Sequence, residues 1–301
     1  MVVRTVAGDL APEGLGVTDA HDHLFFRSPL LPSREVDDPE AAAAELRAFA
    51  ELGGRTVVQW TPFGLGGRPE ALVELARATG VNVVAATGLH QTAHYDPSDL
   101  EGLYPRLTEL FVDELTRAMG ESNPRAGLIK VAGEYHHLDD HARRTMTAAA
   151  EAHHATGAPI AVHLELGTAA LDVLDLLCGE LEVPPARVIL GHLNRSPDQR
   201  MHRDVAKAGP FISFDGPSRA NHATDWRLFE LLHRMAAEGA LGQVLLGADT
   251  TTRSATTAAG GGPGMKGLME RTRGRLQREL GAAAAAEVFV HNPARAFALR
   301  A

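Results

Sequence analysis

The sequence predicts a (β/α)8 barrel, an α/β fold in which eight parallel strands alternate with helices. Eight short apolar segments recur along the 301 residues, and each precedes a helical pattern. These segments are almost continuously apolar, which is typical of parallel strands covered on both faces. A doubly wound open sheet is the alternative, but no Gly-x-Gly-x-x-Gly motif follows the first predicted strand. Because no linker rich in Pro, Gly or Ser divides the chain, we expect a single domain over residues 1–301.

The elements follow one another in a regular order. Residues 2–16 are rich in turn formers and predict a short β lead-in. The predicted strands then cover residues 17–23, 55–60, 81–88, 127–132, 159–164, 187–192, 211–215 and 243–249. The predicted helices cover residues 40–52, 69–79, 104–119, 140–156, 168–181, 198–208, 226–238 and 266–280, with a short helix after them. Glycines at helix ends, such as Gly53-Gly54 and Gly80, are good termination signals.

Charge and composition exclude several classes of partner. The net charge of −9 and the absence of a basic block argue against nucleic acid. Cys178 is the one cysteine, which excludes an internal disulfide, and we expect it to pack in the core. No apolar run approaches the roughly 18 residues that span a bilayer, and the N-terminus lacks the pattern of a signal peptide. We therefore expect a cytoplasmic protein that acts on a small molecule; homodimer formation stays open.

Metal-compatible side chains occur where five of the predicted strands end. Two of them stand at positions i and i+2 of the first strand, so both point to the same face. Because the carboxyl ends of barrel strands form the functional face, these residues should meet at one rim. Each one alone also fits a hydrogen-bonded or ion-paired structural residue, but together they predict a metal centre. The set is His21, His23, Lys130, His163, His192 and Asp249.

Lys130 follows the apolar pair Leu128-Ile129, which places it on the fourth predicted strand. A buried ammonium beside metal cations has a lowered pKa, because both burial and like charge disfavour the charged form. The neutral amine can combine with carbon dioxide to give a carbamate, a carboxylate able to bridge two metals. Two alternatives are an ion pair between Lys130 and Glu134, and Glu134 as the bridging carboxylate.

The order His-x-His, Lys, His, His, Asp resembles the phosphotriesterase-like family of the amidohydrolase superfamily. The matching segments are residues 18–24, 126–130, 156–163, 190–192, 246–249 and 292–295. The resemblance implies two divalent ions, with zinc expected and manganese, cobalt or iron also compatible with these ligands. It further implies that His21, His23 and Asp249 hold the more buried ion, and that His163 and His192 hold the more exposed one.

The resemblance also implies a mechanism. Carboxylated Lys130 and a hydroxide would bridge both ions, the hydroxide would attack, and Asp249 would accept its proton. Phosphotriester-specialised members carry an acid and a histidine where this sequence has Arg195 and Gly216, so efficient phosphotriester hydrolysis is disfavoured. We expect hydrolysis of a lactone, such as a sugar lactone, that carries an anionic group. Amide (N-acyl) hydrolysis and phosphotriester hydrolysis are the alternatives. A non-catalytic binder is disfavoured because Lys130 and Asp249 are both present.

Several residues are predicted to contact substrate. The loop over residues 250–266 resembles the loop with which the sugar-lactone branch binds phosphate, and its glycine-rich backbone offers N–H groups to an anion. A flexible lid with solvated arginines is the alternative. Trp60 is predicted as a pocket wall, and Asp215 to orient either a ligand or a metal-binding histidine. The predicted substrate contacts are Arg195, Arg219, Arg253, His90, Trp60 and Asp215, and the loop histidines His94, His136 and His137 lie on the same predicted rim.

Overall fold

The computed structural model describes residues 1–119, 123–216 and 225–299. Strands β1 (Val3–Thr5) and β2 (Gly8–Leu10) pair in antiparallel fashion and form the predicted lead-in. The eight strands after them are β3 Thr18–Asp22, β4 Thr56–Gln59, β5 Asn82–Thr87, β6 Leu128–Ala132, β7 Ile160–His163, β8 Val188–Leu190, β9 Phe211–Asp215 and β10 Val244–Gly247. All seven pairings between neighbours in this series are parallel, and the strands lie in sequence order.

The sheet curls until its last strand meets its first. Just beyond β10, the backbone N–H of Asp249 donates a hydrogen bond to the His21 carbonyl oxygen at 2.9 Å. Gly247 makes this approach sterically feasible, because a Cβ at this position would collide with the His21 backbone. The predicted (β/α)8 barrel is therefore confirmed, and the open sheet is excluded.

Helices cover the outside of the barrel. The α-helices are Pro39–Glu51, Pro69–Thr79, Pro97–Leu103, Leu107–Thr116, Asp140–Thr156, Ala170–Leu174, Gln199–Ala208, Leu228–Ala237, Thr257–Gly260, Gly264–Gly267, Gly274–Leu280, Ala282–Ala286 and Asn292–Ala296. Segments of π-helix extend three of them, at Asp175–Glu180, Leu268–Arg273 and Glu287–His291. In the described ranges, no helix combines the length and apolar character needed to cross a membrane.

The region after β5 differs from the sequence prediction. Residues 97–103 were expected to be loop, but they form a helix that Asp96 caps by accepting a hydrogen bond from the Ser98 N–H. Proline at the first helical position is compatible with this start, because its missing N–H has no intrahelical partner there. The helix predicted from residue 104 begins as a 3-10 turn, Tyr104–Arg106, and its α-helical part ends at Thr116.

The strands separate two apolar layers. Side chains such as Val58, Leu128 and Ile189 fill the inside of the barrel, whereas Val57, Ile129 and Leu190 face the surrounding helices. Burying one aliphatic side chain of this size contributes about 1.5–3 kcal/mol before the cost in conformational entropy. Cys178 is partly buried and packs against the outer layer, as predicted. The inner layer forms a floor beneath the open end of the barrel where the polar residues gather.

Candidate active site

The two-residue period of the strands carries Lys130 and His163 to the mouth of the barrel. Leu128 in β6 and Ala161 in β7 both belong to the inner layer. Lys130 and His163 come two positions later on the same strands, so their side chains point inward, above that layer. Ile129 and Val162 point to the helices instead. The strand pattern therefore selects the amine and the imidazole for the cavity.

Three ligand atoms converge at the junction of the first and last barrel strands. The Nε2 atoms of His21 and His23 lie 3.5 Å and 3.7 Å from the Oδ1 atom of Asp249. All three residues are buried, and one ligand atom of each lies within 4.8 Å of the others. Imidazole nitrogens and a carboxylate oxygen brought this close are a suitable donor set for zinc and similar ions. These three residues therefore form a suitable binding site for a metal ion.

Backbone conformation at two strand ends also points to a specialised site. His192 and Asp249 have φ angles of +64° and +52°, in the left-handed region that non-glycine residues rarely adopt. Such conformations persist where the surrounding structure enforces them, and they cluster at functional sites. Both residues are almost fully buried, so they are held in place by packing. Both belong to the predicted metal-ligand set.

Asp215, at the end of β9, joins two of these histidines from behind. Its Oδ1 atom lies 2.7 Å from the Nδ1 atom of His21, and its Oδ2 atom contacts the Nδ1 atom of His192. With the Nδ1 protons donated to this carboxylate, both Nε2 atoms are left as metal-binding atoms. Asp215 has no exposed surface. Of its two predicted roles, the geometry agrees with the orientation of histidines.

Trp60 does not form a wall of the cavity, in contrast to the prediction. Its side chain is fully buried, and its ring stacks on the His21 imidazole with 3.8 Å between the centroids. The indole N–H donates a hydrogen bond to the Ala20 carbonyl oxygen at 2.8 Å. Because Trp60 continues the inner layer begun by Val58, the indole lies beneath the histidine and supports it.

The second histidine pair lies on the other side of the cluster. The rings of His163 and His192 are 4.5 Å apart in an edge-to-face arrangement. The Nε2 atom of His163 lies 2.9 Å from the Oε2 atom of Glu165, and this hydrogen bond lowers the pKa of the Glu165 carboxyl. Glu165 was not among the site residues predicted from the sequence. Its position two residues after the histidine that ends a strand is the one signal that pointed to it.

Lys130 is 2% exposed, and burial lowers the pKa of its amine well below the usual value. Within the part of the chain that the structure describes, no carboxylate lies within ion-pairing distance of this amine. Glu134 accepts a hydrogen bond from the Gln91 side chain at 3.2 Å and does not line the cavity that Lys130 lines. The geometry therefore favours Lys130 over Glu134 as the central group, and a Lys130–Glu134 ion pair is excluded.

All six predicted metal ligands line one cavity of about 270 Å³. Phe26, Leu30 and Leu31 supply an apolar side of this cavity. A second cavity, of about 310 Å³, also includes His23 in its lining and extends toward Glu45 and Arg253. A metal-binding centre with one apolar side and an adjoining compartment is an arrangement typical of a small-molecule site.

The three arginines predicted to bind an anion differ in their location. Arg195 lines the first cavity, and its Nη2 atom lies 2.5 Å from the Oδ2 atom of Asp249. Burial alone would raise the pKa of Asp249, but its neighbours, His21 foremost, lower it. Arg253 is exposed at the edge of the second cavity. Arg219 lies outside the described residues.

Several backbone N–H groups of the glycine-rich loop that were predicted to meet an anion are engaged within the protein. The N–H groups of Gly260 and Gly262 donate to the Thr256 carbonyl oxygen at 3.3 Å and 2.8 Å. The N–H of Ala258 donates to the Oε1 atom of Glu45 at 2.6 Å. Glu45 is 4% exposed and lies on the helix Pro39–Glu51, far away in sequence, so its part in this loop was missed. An internal carboxylate thus occupies a position where sequence analysis expected a substrate anion.

The histidines of the neighbouring loops also separate into two groups. His90 and His94 line the cavity, with 4.1 Å between their ring centroids. His136 and His137 are exposed and do not line the cavity. Burial lowers the pKa of His94 to about 4 and that of His163 to about 4, so these rings are neutral at pH 7.

Comparison with known proteins agrees with this description. Residues 1–297 match the model of the phosphotriesterase family. Over 243 residues the chain is 34% identical to a phospho-furanose lactonase of Mycoplasmopsis agalactiae, a match that covers 74% of this chain and 69% of the relative.

Solved structures give the same result. A lactonase from Listeria monocytogenes superposes with a TM-score of 0.93 and 28% identity over 100% of both chains. The phosphotriesterase homology protein from Escherichia coli, solved with phosphate in its active site, superposes with a TM-score of 0.89 and 26% identity over 95% of this chain and 99% of that one. The barrel and its buried ligand cluster thus define a metal-dependent hydrolase of ester bonds. The chain belongs to the phosphotriesterase family, which confirms the resemblance noted from its motifs.

Proposed function

We propose that this protein is a binuclear metal-dependent lactonase acting on a sugar lactone, or another lactone, that carries an anionic group. The observation that carries the proposal is the position of Lys130. Its amine is buried, forms no salt bridge with a carboxylate of the described residues although the charge of Asp249 acts on it, and lines the same cavity as both histidine pairs. The name of the phospho-furanose lactonase relative supports the choice of a lactone substrate.

The proposed ligand sets use the residues on each side of Lys130. His21, His23 and Asp249 would hold one ion, and His163 and His192 would hold the other. Lys130 would serve both ions as a carbamate, formed when its neutral amine adds to carbon dioxide and releases one proton. Zinc is the expected metal, and manganese, cobalt and iron accept the same ligands. When bound, two such ions supply a water of lowered pKa as nucleophile and polarise the lactone carbonyl.

Asp249 is the proposed proton carrier. Its Oδ1 atom faces the histidine Nε2 atoms, and its Oδ2 atom faces Arg195. Its neighbours lower the pKa of this carboxyl, so it is ionised at neutral pH. In the proposed reaction it accepts a proton from the attacking water and passes it to the ring oxygen as the lactone opens. The Asp249→Asn variant should keep much of its metal and lose most of its turnover. Unchanged turnover would contradict this role.

The proposed contacts to the anionic group are side chains. Arg195 lines the metal cavity, and Arg253 stands at the edge of the compartment that adjoins it at His23. The loop amides around Ala258 are engaged within the protein, partly by Glu45, which favours guanidinium groups over backbone for this task. Arg219 stays a proposed third contact.

Proton release across a substrate panel tests the proposal. The panel contains aldonolactones with and without phosphate, simple lactones, N-acyl amino acids and a phosphotriester, each mixed with metal-loaded protein. We expect lactones that carry phosphate or carboxylate to be hydrolysed fastest. Turnover of N-acyl amino acids or of the phosphotriester alone would replace the lactonase by one of those two activities. If no substrate is hydrolysed although metal is bound, the result would indicate a binding protein.

A further inference from the structure

His90, just beyond β5, is held by the protein at every polar atom except one. Its backbone N–H donates to the Tyr95 hydroxyl at 2.9 Å, and its carbonyl oxygen accepts from His141 Nε2 at 2.7 Å. Its Nδ1 atom lies 2.7 Å from the backbone N of Gln91. In the described residues, Nε2 has no hydrogen-bond partner. The ring is therefore fixed in position with one free polar atom.

The groups that hold His90 are themselves held. The Tyr95 hydroxyl donates a hydrogen bond to the Phe63 carbonyl oxygen at 3.0 Å, and the partly buried Tyr95 ring packs against the core. The Nδ1 atom of His141 lies 2.9 Å from the Tyr104 hydroxyl. Two successive layers of hydrogen bonds thus fix this imidazole, which is the kind of support that preorganised binding groups require.

These contacts also determine the tautomer of His90. A backbone N–H can only donate, so Nδ1 must accept and therefore carries no proton. The proton of the ring is then on Nε2, and the ring is neutral. His90 thus presents a neutral N–H donor.

The location of this donor relates it to the proposed metal centre. His90 lines the cavity, and its ring centroid lies 4.6 Å from that of His163. The His94 ring also packs against His90, with 4.1 Å between the centroids, and the Ser28 hydroxyl lies 2.8 Å from the Nδ1 atom of His94. The donor therefore lies beside the histidine assigned to the more exposed ion, where the proposed function brings the lactone carbonyl.

We propose that His90 is a substrate-positioning residue whose Nε2–H donates to a hydroxyl on the carbon next to the lactone carbonyl. This inference rests on the proposed function, because it uses the carbonyl position that the metal centre implies. A hydroxyl on that carbon is the substituent closest to the carbonyl, so it can reach a donor packed against His163. A neutral donor matches a neutral hydroxyl, whereas an anionic group is better matched by guanidinium. The enzyme should therefore prefer 2-hydroxy lactones to their 2-deoxy analogues.

A matched pair of substrates tests this inference. Ribonolactone and 2-deoxyribonolactone, both used as their 5-phosphates so that each carries the anionic group of the proposed substrate, differ in the one hydroxyl. The ratio of their kcat/KM values therefore isolates its contribution. In the wild-type enzyme we expect the ratio to favour ribonolactone by tenfold or more. His90→Leu should lower the ratio about tenfold, the size expected for one lost hydrogen bond. His90→Gln, which keeps an N–H donor, should retain part of the preference. His137→Leu, an exposed neighbour outside the cavity, is the control.

The ratio of the two kcat/KM values distinguishes a positioning role of His90 from a purely structural one. Metal content and thermal unfolding of both His90 variants are measured alongside, because a general loss of structure lowers both rates and leaves their ratio intact. A ratio in His90→Leu equal to that of the wild type would contradict the inference, and so would a wild-type ratio near one. If the wild-type enzyme hydrolyses neither lactone but does cleave an amide or a phosphotriester, the proposed function itself fails.

Discussion

The Oδ1 atom of Asp215 lies 2.7 Å from the Nδ1 atom of His21, at the back of the ligand cluster. The second carboxylate oxygen holds His192 in the same way. One acid thus aligns one histidine from each proposed ion site. Because it has no exposed surface, its effect on the reaction must pass through the two rings.

Asp215→Asn should therefore lower metal affinity. An asparagine side chain cannot accept hydrogen bonds from both imidazoles, since one of its two polar atoms, the amide nitrogen, is a donor. We expect affinity to fall about 10–100-fold, the usual effect of removing a group that orients metal ligands. Competition with a chelator measures this, with Asp204→Asn on an exposed helix face as the control. Wild-type affinity in Asp215→Asn would contradict the assigned role.

Lys130→Ala should abolish turnover and lose metal, because it removes the amine that forms the proposed carbamate. It also opens space in the cavity for a small acid. Adding acetate or propionate should then restore part of the metal binding and of the activity. Exposed Lys207→Ala serves as the control. Carbamate formation itself should appear as a carbonyl signal in a ¹³C NMR spectrum after incubation of the wild-type protein with labelled bicarbonate. Full activity of Lys130→Ala without added acid would contradict the bridging role.

Glu45 links the helix Pro39–Glu51 to the glycine-rich loop through its hydrogen bond with the Ala258 N–H. We expect Glu45→Ala to loosen this loop and to increase its cleavage by trypsin at Arg253 or Lys266. Glu45→Gln keeps an acceptor oxygen and should protect the loop much better than Ala. Glu40→Ala, in the exposed first turn of the same helix, is the control. Equal protection in the wild type and in Glu45→Ala would show that the loop is held by its internal bonds alone.

Glu114 should make stability depend on pH. Burial raises the pKa of this carboxyl from 4.5 to about 7. Between these two values the unfolded chain is ionised and the native chain is not, so the native state loses stability as pH rises through this window. Glu114→Gln removes this dependence. The difference in free energy of unfolding between the variant and the wild type should shift by about 3 kcal/mol in favour of the variant from pH 4.5 to pH 8. Urea titrations measure the difference, and exposed Glu109→Gln on the same helix should show no such shift.

Local sequence patterns were sufficient to predict most of the helices and strands of the fold. The helices Pro69–Thr79 and Asp140–Thr156 match their predicted bounds, because proline or an aspartate cap marks the start and a left-handed glycine marks the end. Strand bounds agree within two residues, since apolar runs and turn residues delimit them. The helix Pro97–Leu103 was missed because Pro97 was assigned to a long loop, although Asp96-Pro97-Ser98 is also a capping sequence.

The site required information that the sequence does not carry locally. The metal-compatible residues were identified because they end strands, and strand ends meet at one rim. Trp60 also ends a predicted strand, but the direction of its side chain depends on the pleat of that strand. The pleat places the indole below the His21 ring. Glu45 acts on a loop 213 positions later, and such contacts leave no trace in local spacing.

A metal titration of the apoenzyme, with lactone hydrolysis recorded at each step, tests most directly whether this protein is a binuclear lactonase. Protein freed of metal with a chelator is mixed with increasing zinc and bicarbonate, and proton release from a phosphorylated aldonolactone is measured. We expect no turnover without metal and a rise that levels off at two ions per chain. Full turnover by the metal-free protein, or a plateau at one ion per chain, would contradict the binuclear lactonase described above.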